Sequence, residues 1–331
     1  MNKSNLKILV TGGSGYVGSR VTERLFDLGY KVSIVDKVEP KERGIIFSKK
    51  IKATIGDLRD SKVADKSLKD IDLVVHLAAN IGSLTYMRDH QAEILQENSA
   101  IDATLYPAMV KAKIKCVVYS SSSMVFQKSS VYPYRESDID KVNFPTNVYG
   151  MSKLVGEYFC KSYKEQYGLN YVIMRYHNIY GEGEDSKGST PGDIHVIPAL
   201  VEKVLKGQYP LELLGNPDAT RPFTYIDDAV YATVRLVEGV MRGDRKVINE
   251  DFNIGPADAT KIIDLAKLIW KVSGDKRSFK FKSVETTAIT ADRREMNPEK
   301  LTASTHWKPK VSLEEGILVV FKWLNERSPG I

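Results

Sequence analysis

Cysteine is scarce: Cys116 and Cys160 are the only two in 331 residues. They make no disulfide framework and no metal-ligand spacing, so a reducing compartment is expected. Histidines and carboxylates do not converge on any pattern that would hold a metal. Charge of one sign is not in large excess. The net charge of +6 suits attraction of anionic metabolites as well as nucleic acid, and no basic tract singles out the latter. No apolar run approaches membrane-spanning length. The opening MNKSNLKILVTGG passes straight into a predicted strand, with no n-region, h-region or cleavage site. Internal repeats and low-complexity tracts are also missing. The expectation is a cytoplasmic protein that contacts neither membrane nor nucleic acid. At 42% apolar and 27% charged it has an ordinary globular composition, and its length allows one large α/β domain or two unequal ones.

What is present begins with glycine. Leu6–Val10 is a short apolar run, followed by Thr11-Gly12-Gly13-Ser14-Gly15-Tyr16-Val17-Gly18 and an amphipathic segment to Leu28. Gly29 is placed to cap that helix, and Lys31–Val35 predicts a second strand that closes in Asp36. Strand, glycine turn, helix, strand and carboxylate are the context a dinucleotide needs. Gly12 permits the tight turn, Gly15 lets backbone approach a pyrophosphate at the helix N-terminus, and Gly18 allows close helix–strand packing. Asp36 follows Gly18 by 18 residues, placed to accept hydrogen bonds from an adenosine ribose. Its charge opposes a 2′-phosphate, so NAD is expected over NADP, although Lys37 next door weakens the preference.

Strands and helices then alternate. Strands are predicted at Ile51–Ile55, Asp72–Leu77, Cys116–Tyr119 and Tyr171–Arg175, with a helix from about Gln91 to Lys111. The pattern predicts a parallel, doubly wound sheet whose ligand sits at the carboxyl ends of the strands. After Tyr180 the texture changes to a long polar loop, Gly181–Gly192, expected to be a lid or binding loop. Helices are predicted near 197–206, 259–272 and 313–325, with a short strand near Leu211–Leu214. Asp227–Val240 and Phe252–Ile254 read as returns to the first sheet. The expected division is 1–180 with 222–255 for the dinucleotide, and 181–221 with 256–331 as a smaller, discontinuous substrate domain.

Tyr149 and Lys153 are four residues apart, which on a helix puts them on one face. A free phenol, with a pKa near ~10, is a poor base at neutral pH, and a nearby ammonium favours the phenolate. A serine from Ser120–Ser123, at the end of the preceding strand, can bond the same substrate oxygen. Together they suit removing a hydroxyl proton while hydride leaves the same carbon. The apolar positions Leu154, Tyr158 and Phe159 on the Tyr149 helix suit either the core or a second subunit.

Several stretches together resemble the extended short-chain dehydrogenase/reductase family, the nucleotide-sugar epimerases and dehydratases. They are Thr11–Gly18, Gly56-Asp57-Leu58-Arg59-Asp60, His76-Leu77-Ala78-Ala79, the serine cluster, Tyr149 with Lys153, Arg175–Gly181, Arg221–Asp228 and Phe252–Gly255. Parts of the chain are similar to GDP-mannose 3,5-epimerases (171–181) and to GDP-fucose synthases (193–200). The resemblance implies a Rossmann domain, NAD, a nucleotide-diphosphate sugar substrate and a homodimer built on the 91–111 and 149–167 helices. It implies Ser122, Tyr149 and Lys153 as catalytic residues, with Lys153 also on the nicotinamide ribose. It further implies that Tyr16, Val17, Leu77, Ala78, Ala79 and Asn98 line the cofactor channel, and that Asp57 and Leu58 flank the adenine. Ser123, Asn178, His195, Val196, Arg221 and Arg293 would hold the substrate, with Arg294 the alternative to Arg293.

Two departures narrow the chemistry. Dehydratases of this family carry Asp-Glu where Ser123 and Met124 stand here, so 4,6-dehydration lacks its acid. The 3,5-epimerases and fucose synthases carry a cysteine in place of Met124, and a thioether cannot move that proton. The expectation is therefore a 4-epimerase, with a 3,5-epimerase-like enzyme or nucleotide-sugar oxidoreductase as the alternative. A non-catalytic NAD-binding regulator would need only the glycines and Asp36, whereas serine, tyrosine and lysine are all kept.

Overall fold

The computed structural model describes residues 6–82, 84–184, 195–285 and 291–327. Its first half lays down β1 (Lys7–Thr11), β2 (Lys31–Asp36), β3 (Lys52–Ile55), β4 (Leu73–His76), β5 (Cys116–Ser122) and β6 (Asn170–Tyr176). Between them run α1 (Tyr16–Asp27), α2 (Ser61–Ser67), α3 (Leu84–Asp89), α4 (Gln91–Lys111) and α5 (Val148–Tyr167). Short strands β7 (Ile179–Tyr180), β8 (Leu211–Leu214), β9 (Thr220–Arg221) and β10 (Thr224–Tyr225) follow, with α6 (Val196–Leu205) among them. Then α7 (Ile226–Arg242) leads back to the sheet as β11 (Glu250–Ile254). The chain closes with β12 (Thr260–Lys261), α8 (Ile262–Ser273), β13 (Phe281–Val284), α9 (Glu299–Thr305) and α10 (Leu313–Arg327).

Seven parallel strands make the main sheet in the order β11-β6-β5-β4-β1-β2-β3. This is a doubly wound α/β fold, and the strand order reverses between β1 and β4. A crevice opens there, outside the carboxyl ends of the strands. Central strands such as β4 are buried along their whole length, because helices cover both faces. On one face Leu9, Val74, Val117 and Ile173 pack with Leu105 and Met109 of α4. On the other, Val10 and Ile34 belong to a core that runs through Ile226 and Val230 of α7 to Leu200 of α6 and Leu265 of α8. The C-terminal elements thus share the core of the sheet. Among the described residues, no helix is long and apolar enough to cross a membrane.

Local chemistry explains the element ends. α5 starts at Asn147, whose side-chain oxygen accepts the Gly150 N–H at 3.1 Å. It stops at Gly168, in the left-handed region at φ 74°. The helix predicted near 259–272 instead begins at Ile262, because Thr260 and Lys261 pair antiparallel with Arg221 and Thr220. Most of the predicted lid, residues 185–192, lies outside the described residues, as do Asp193 and Ile194. The apolar stripe on α5 divides: Leu154 packs with Val125 and Phe126, Phe159 stacks on Tyr163, and Tyr158 stays 58% exposed.

Candidate active site

The crevice opens into a cavity of about 1240 Å³ running from Gly12 and Asp36 past Ser122 and Tyr149 to Arg221 and Arg294. At its first end the backbone demands glycine. Gly12 has φ +69°, and a Cβ there would lie 2.9 Å from the Ala78 backbone. A Cβ on Gly18 would collide with the Gly12 carbonyl. The bare turn lets α1 present its N-terminal N–H groups to the cavity, as a pyrophosphate requires. Asp36 accepts hydrogen bonds from Ser14 N and Val38 N, both at 3.0 Å, which ties the turn to β2. Lys37, Arg43 and Arg59 line the same corner. Asp57 also lines it, but forms an ion pair with Arg59 that holds its carboxyl below the usual range.

Tyr16, Val17, Leu58, Leu77, Ala78 and Ala79 all border the cavity. The Tyr16 phenol is buried without a hydrogen-bond partner among the described residues. Asn98, in contrast, does not reach the cavity surface. Its Oδ1 accepts Asn80 N at 2.6 Å, and its Nδ2 donates to Asn80 O at 3.1 Å and Ser152 Oγ at 3.0 Å. It clamps the segment after β4 onto α5, so its place is behind the wall. Asn80, which does line the cavity, was not anticipated from the sequence.

Ser122 ends β5, while Tyr149 and Lys153 stand one turn apart on α5, and all three line the cavity. The Ser122 hydroxyl also caps the next turn, accepting Met124 N at 3.2 Å. Burial pushes the Tyr149 phenol up, and a hydrogen bond with Ser122 pulls the other way. The Lys153 ammonium lies 5.8 Å from the Tyr149 ring centroid and 5.2 Å from that of Tyr119. Burial brings Lys153 down to about 8, opposed chiefly by the charge of Asp102. Desolvation therefore dominates both groups in the protein alone, a balance that helical spacing does not reveal. Ser123 and Met124 complete this wall.

At the far end Arg221 lies on β9, where Nη1 donates to its neighbour Thr220 O at 2.7 Å and to Asp292 O at 3.2 Å. Burial draws its guanidinium down to about 9, and the like charge of Arg294 adds to this. Arg294 lines the cavity, and its Nε has no hydrogen-bond partner among the described residues. Arg293 points the other way. It is exposed, paired with Glu295 and stacked 4.7 Å over the Tyr132 ring. Of the two adjacent arginines, the cavity receives Arg294. Asn178 lines the cavity while donating to Pro222 O at 2.8 Å. His195 and Val196, at the start of α6, also line it, and His195 pairs with Glu184 across the cavity wall. Among the described residues, no cluster of His, Cys, Asp or Glu could hold a metal.

The chain is similar in sequence and in fold to known proteins. A putative UDP-glucose 4-epimerase of Methanocaldococcus jannaschii is 30% identical over 328 residues, 97% of this chain and 99% of the relative. GDP-mannose 3,5-epimerase of Arabidopsis thaliana is 26% identical over 98% of this chain and 83% of the relative. A solved UDP-glucuronic acid 4-epimerase from Bacillus cereus, in complex with UDP-glucuronic acid and NAD, superposes with TM-score 0.84 at 26% identity, covering 98% of this chain and 100% of that one. The glycine turn and Asp36 fit the same cofactor here, NAD. Residues 8–255 match the profile of the NAD dependent epimerase/dehydratase family, and the chain belongs to that family.

Proposed function

We propose that the protein is a nucleotide-sugar 4-epimerase. The observation that carries this reading is the composition of one wall of the cavity: Ser122, Tyr149 and Lys153 together, with Met124 beside them. Tyr149 removes the proton of the C4 hydroxyl, and Ser122 holds the same oxygen. Bound NAD supplies the acceptor, and then the donor, of the C4 hydrogen as hydride. Lys153 holds a positive charge near the phenol and so favours its anion. The 4-keto sugar turns, and Tyr149 returns the proton to the other face. Met124 has neither a donor nor a base for carbon acidity, so C3 and C5 keep their hydrogens.

Arg221 and Arg294 provide the two guanidinia for a diphosphate, which accepts planar bidentate bonds. They come from the 181–221 and 256–331 stretches, which we assign to the sugar-nucleotide side. Leaving the Arg294 Nε buried without a hydrogen-bond partner costs free energy. A bound anion beside the guanidinium offsets the cost of burying its charge.

A 3,5-epimerase-like reading has one observation in its favour, the His195–Glu184 pair bordering the same cavity. Turnover in D₂O separates the two. A 4-epimerase returns a C4-inverted sugar without deuterium on carbon, because the hydride on nicotinamide does not exchange with solvent. Deuterium at C3 or C5 by NMR would overturn the 4-epimerase reading and point to His195.

A further inference from the structure

Lys153 is 3% exposed, and a buried ammonium needs an anion. Three residues on along the same face of α5, Gly156 leaves the helix bare. A Cβ there would run into the Tyr119 hydroxyl and come 2.9 Å from Asp102 Oδ2. The missing side chain lets both groups close against the helix beneath Lys153. Asp102, on α4, is itself 3% exposed, and its Oδ1 lies 2.9 Å from His76 Nε2. The other ring nitrogen of His76, Nδ1, lies 2.7 Å from Thr11 Oγ1. That hydroxyl already accepts N–H bonds from Leu77 and Ala78, both at 3.1 Å. Its own hydrogen is therefore directed to Nδ1, which leaves the Nε2 proton to be donated to Asp102. A buried chain of hydrogen bonds runs from the end of β1, beside the glycine turn, through β4 to Asp102 on α4, which packs against α5 at Gly156.

We propose that Asp102, held by His76 and Thr11, is the counter-charge of Lys153 and a positioning residue for the reaction. The inference deepens the role given to Lys153 above and rests on it. The other groups around Lys153 do not compete for this part. Burial pushes up Tyr119 on β5, Tyr106 on α4 and Cys160 on α5, and also Tyr149 on α5 before substrate binds, so burial works against the anion in each. Glu157 on α5 is committed to Arg175, and His76 on β4 is the donor to Asp102. Of the two buried carboxylates on α4 and α5, Asp102 is the one not committed to an arginine. It is also the largest charge effect acting on Lys153, opposing the desolvation that favours the neutral amine. Without it, Lys153 gives up its proton at lower pH.

The test is a pH titration of the NAD-loaded protein carrying ¹³Cε-lysine, with the Lys153 resonance assigned through Lys153→Met. Asp102→Asn keeps the shape and the acceptor for His76 while removing the charge. The Lys153 midpoint should fall by about one pH unit or more. The alkaline limb of kcat should move down with it, leaving the acid limb in place. A merely structural role would lower Tm and leave the midpoint unmoved, and superimposable Lys153 titrations overturn the proposal. Should Asp102→Asn fail to fold, the wild-type protein answers instead. The Asp102 ¹³Cγ resonance must inflect where Lys153 titrates, and a flat resonance through that range overturns the proposal. The midpoint is read without substrate, so a shifted midpoint in a protein with no epimerase turnover would sink the functional reading alone.

Discussion

Arg175 grips Glu157 with two parallel hydrogen bonds, Nε to Oε1 at 2.8 Å and Nη2 to Oε2 at 2.7 Å, and neither side chain is more than 1% exposed. Glu157 Oε1 also receives the Ser121 hydroxyl, so the pair joins β6, α5 and the strand that ends in Ser122. Arg175 reaches on to Asp251 at 2.7 Å, which Lys300 also contacts at 2.7 Å. Truncating one partner strands a buried charge, so Glu157→Ala should destabilise the fold by about 3–5 kcal/mol. Urea unfolding measures it, and Glu157→Met with Arg175→Met together should cost less than the sum of the two single changes.

The same network gives a pH dependence. Burial works to raise the Asp251 carboxyl, but Arg175 and Lys300 outweigh it and hold the group below its ordinary value. A depressed carboxyl contributes stability that is fully present above its unfolded pKa of about 4, and loses it as pH falls through the folded value. Asp251→Asn should therefore lower stability at neutral pH and flatten the acid limb of Tm against pH. An unchanged acid limb would remove Asp251 from the account.

Tyr149→Phe should lower kcat by about 10²–10⁴-fold, the usual scale of a general acid–base group. Bound NAD, assayed in the supernatant after denaturation, should remain at the wild-type level. Full activity would place the chemistry elsewhere.

Arg294→Met should weaken nucleotide-diphosphate binding by about 1.5–3 kcal/mol, the worth of charge-assisted hydrogen bonds. Arg293→Met should leave it nearly unchanged, since that side chain faces solvent. Thermal shift with a panel of nucleoside diphosphates reads both, because ligand binding to the folded state raises the midpoint. Equal losses in the two variants would contradict the assignment.

We propose a homodimer through α4 and α5, where Leu95 and Tyr158 remain 39% and 58% exposed. Light scattering at micromolar concentration should give the dimer mass, and Tyr158→Asp should shift it towards the monomer. A wild-type monomer removes the claim.

Features confined to one turn or one helix face were legible in the sequence by itself. The glycine turn, Asp36 at the end of β2, and Tyr149 with Lys153 on one face follow from backbone freedom and helical spacing, and α4 spans the predicted Gln91–Lys111. The doubly wound order was legible too, because alternating strands and helices leave few ways to connect a parallel sheet. What only tertiary structure decided is which way neighbouring side chains point once distant strands meet. Arg293 goes to solvent and pairs with Glu295, whereas its neighbour Arg294 goes to the cavity. Asp102 and Glu157 look like ordinary surface charges of amphipathic helices. They are buried because Gly156 lets α5 close on Tyr119, and because β6 brings up Arg175 from 18 residues further along the chain. Long-range packing settles such partners, since a buried charge takes its place from the opposite charge that folding brings to it.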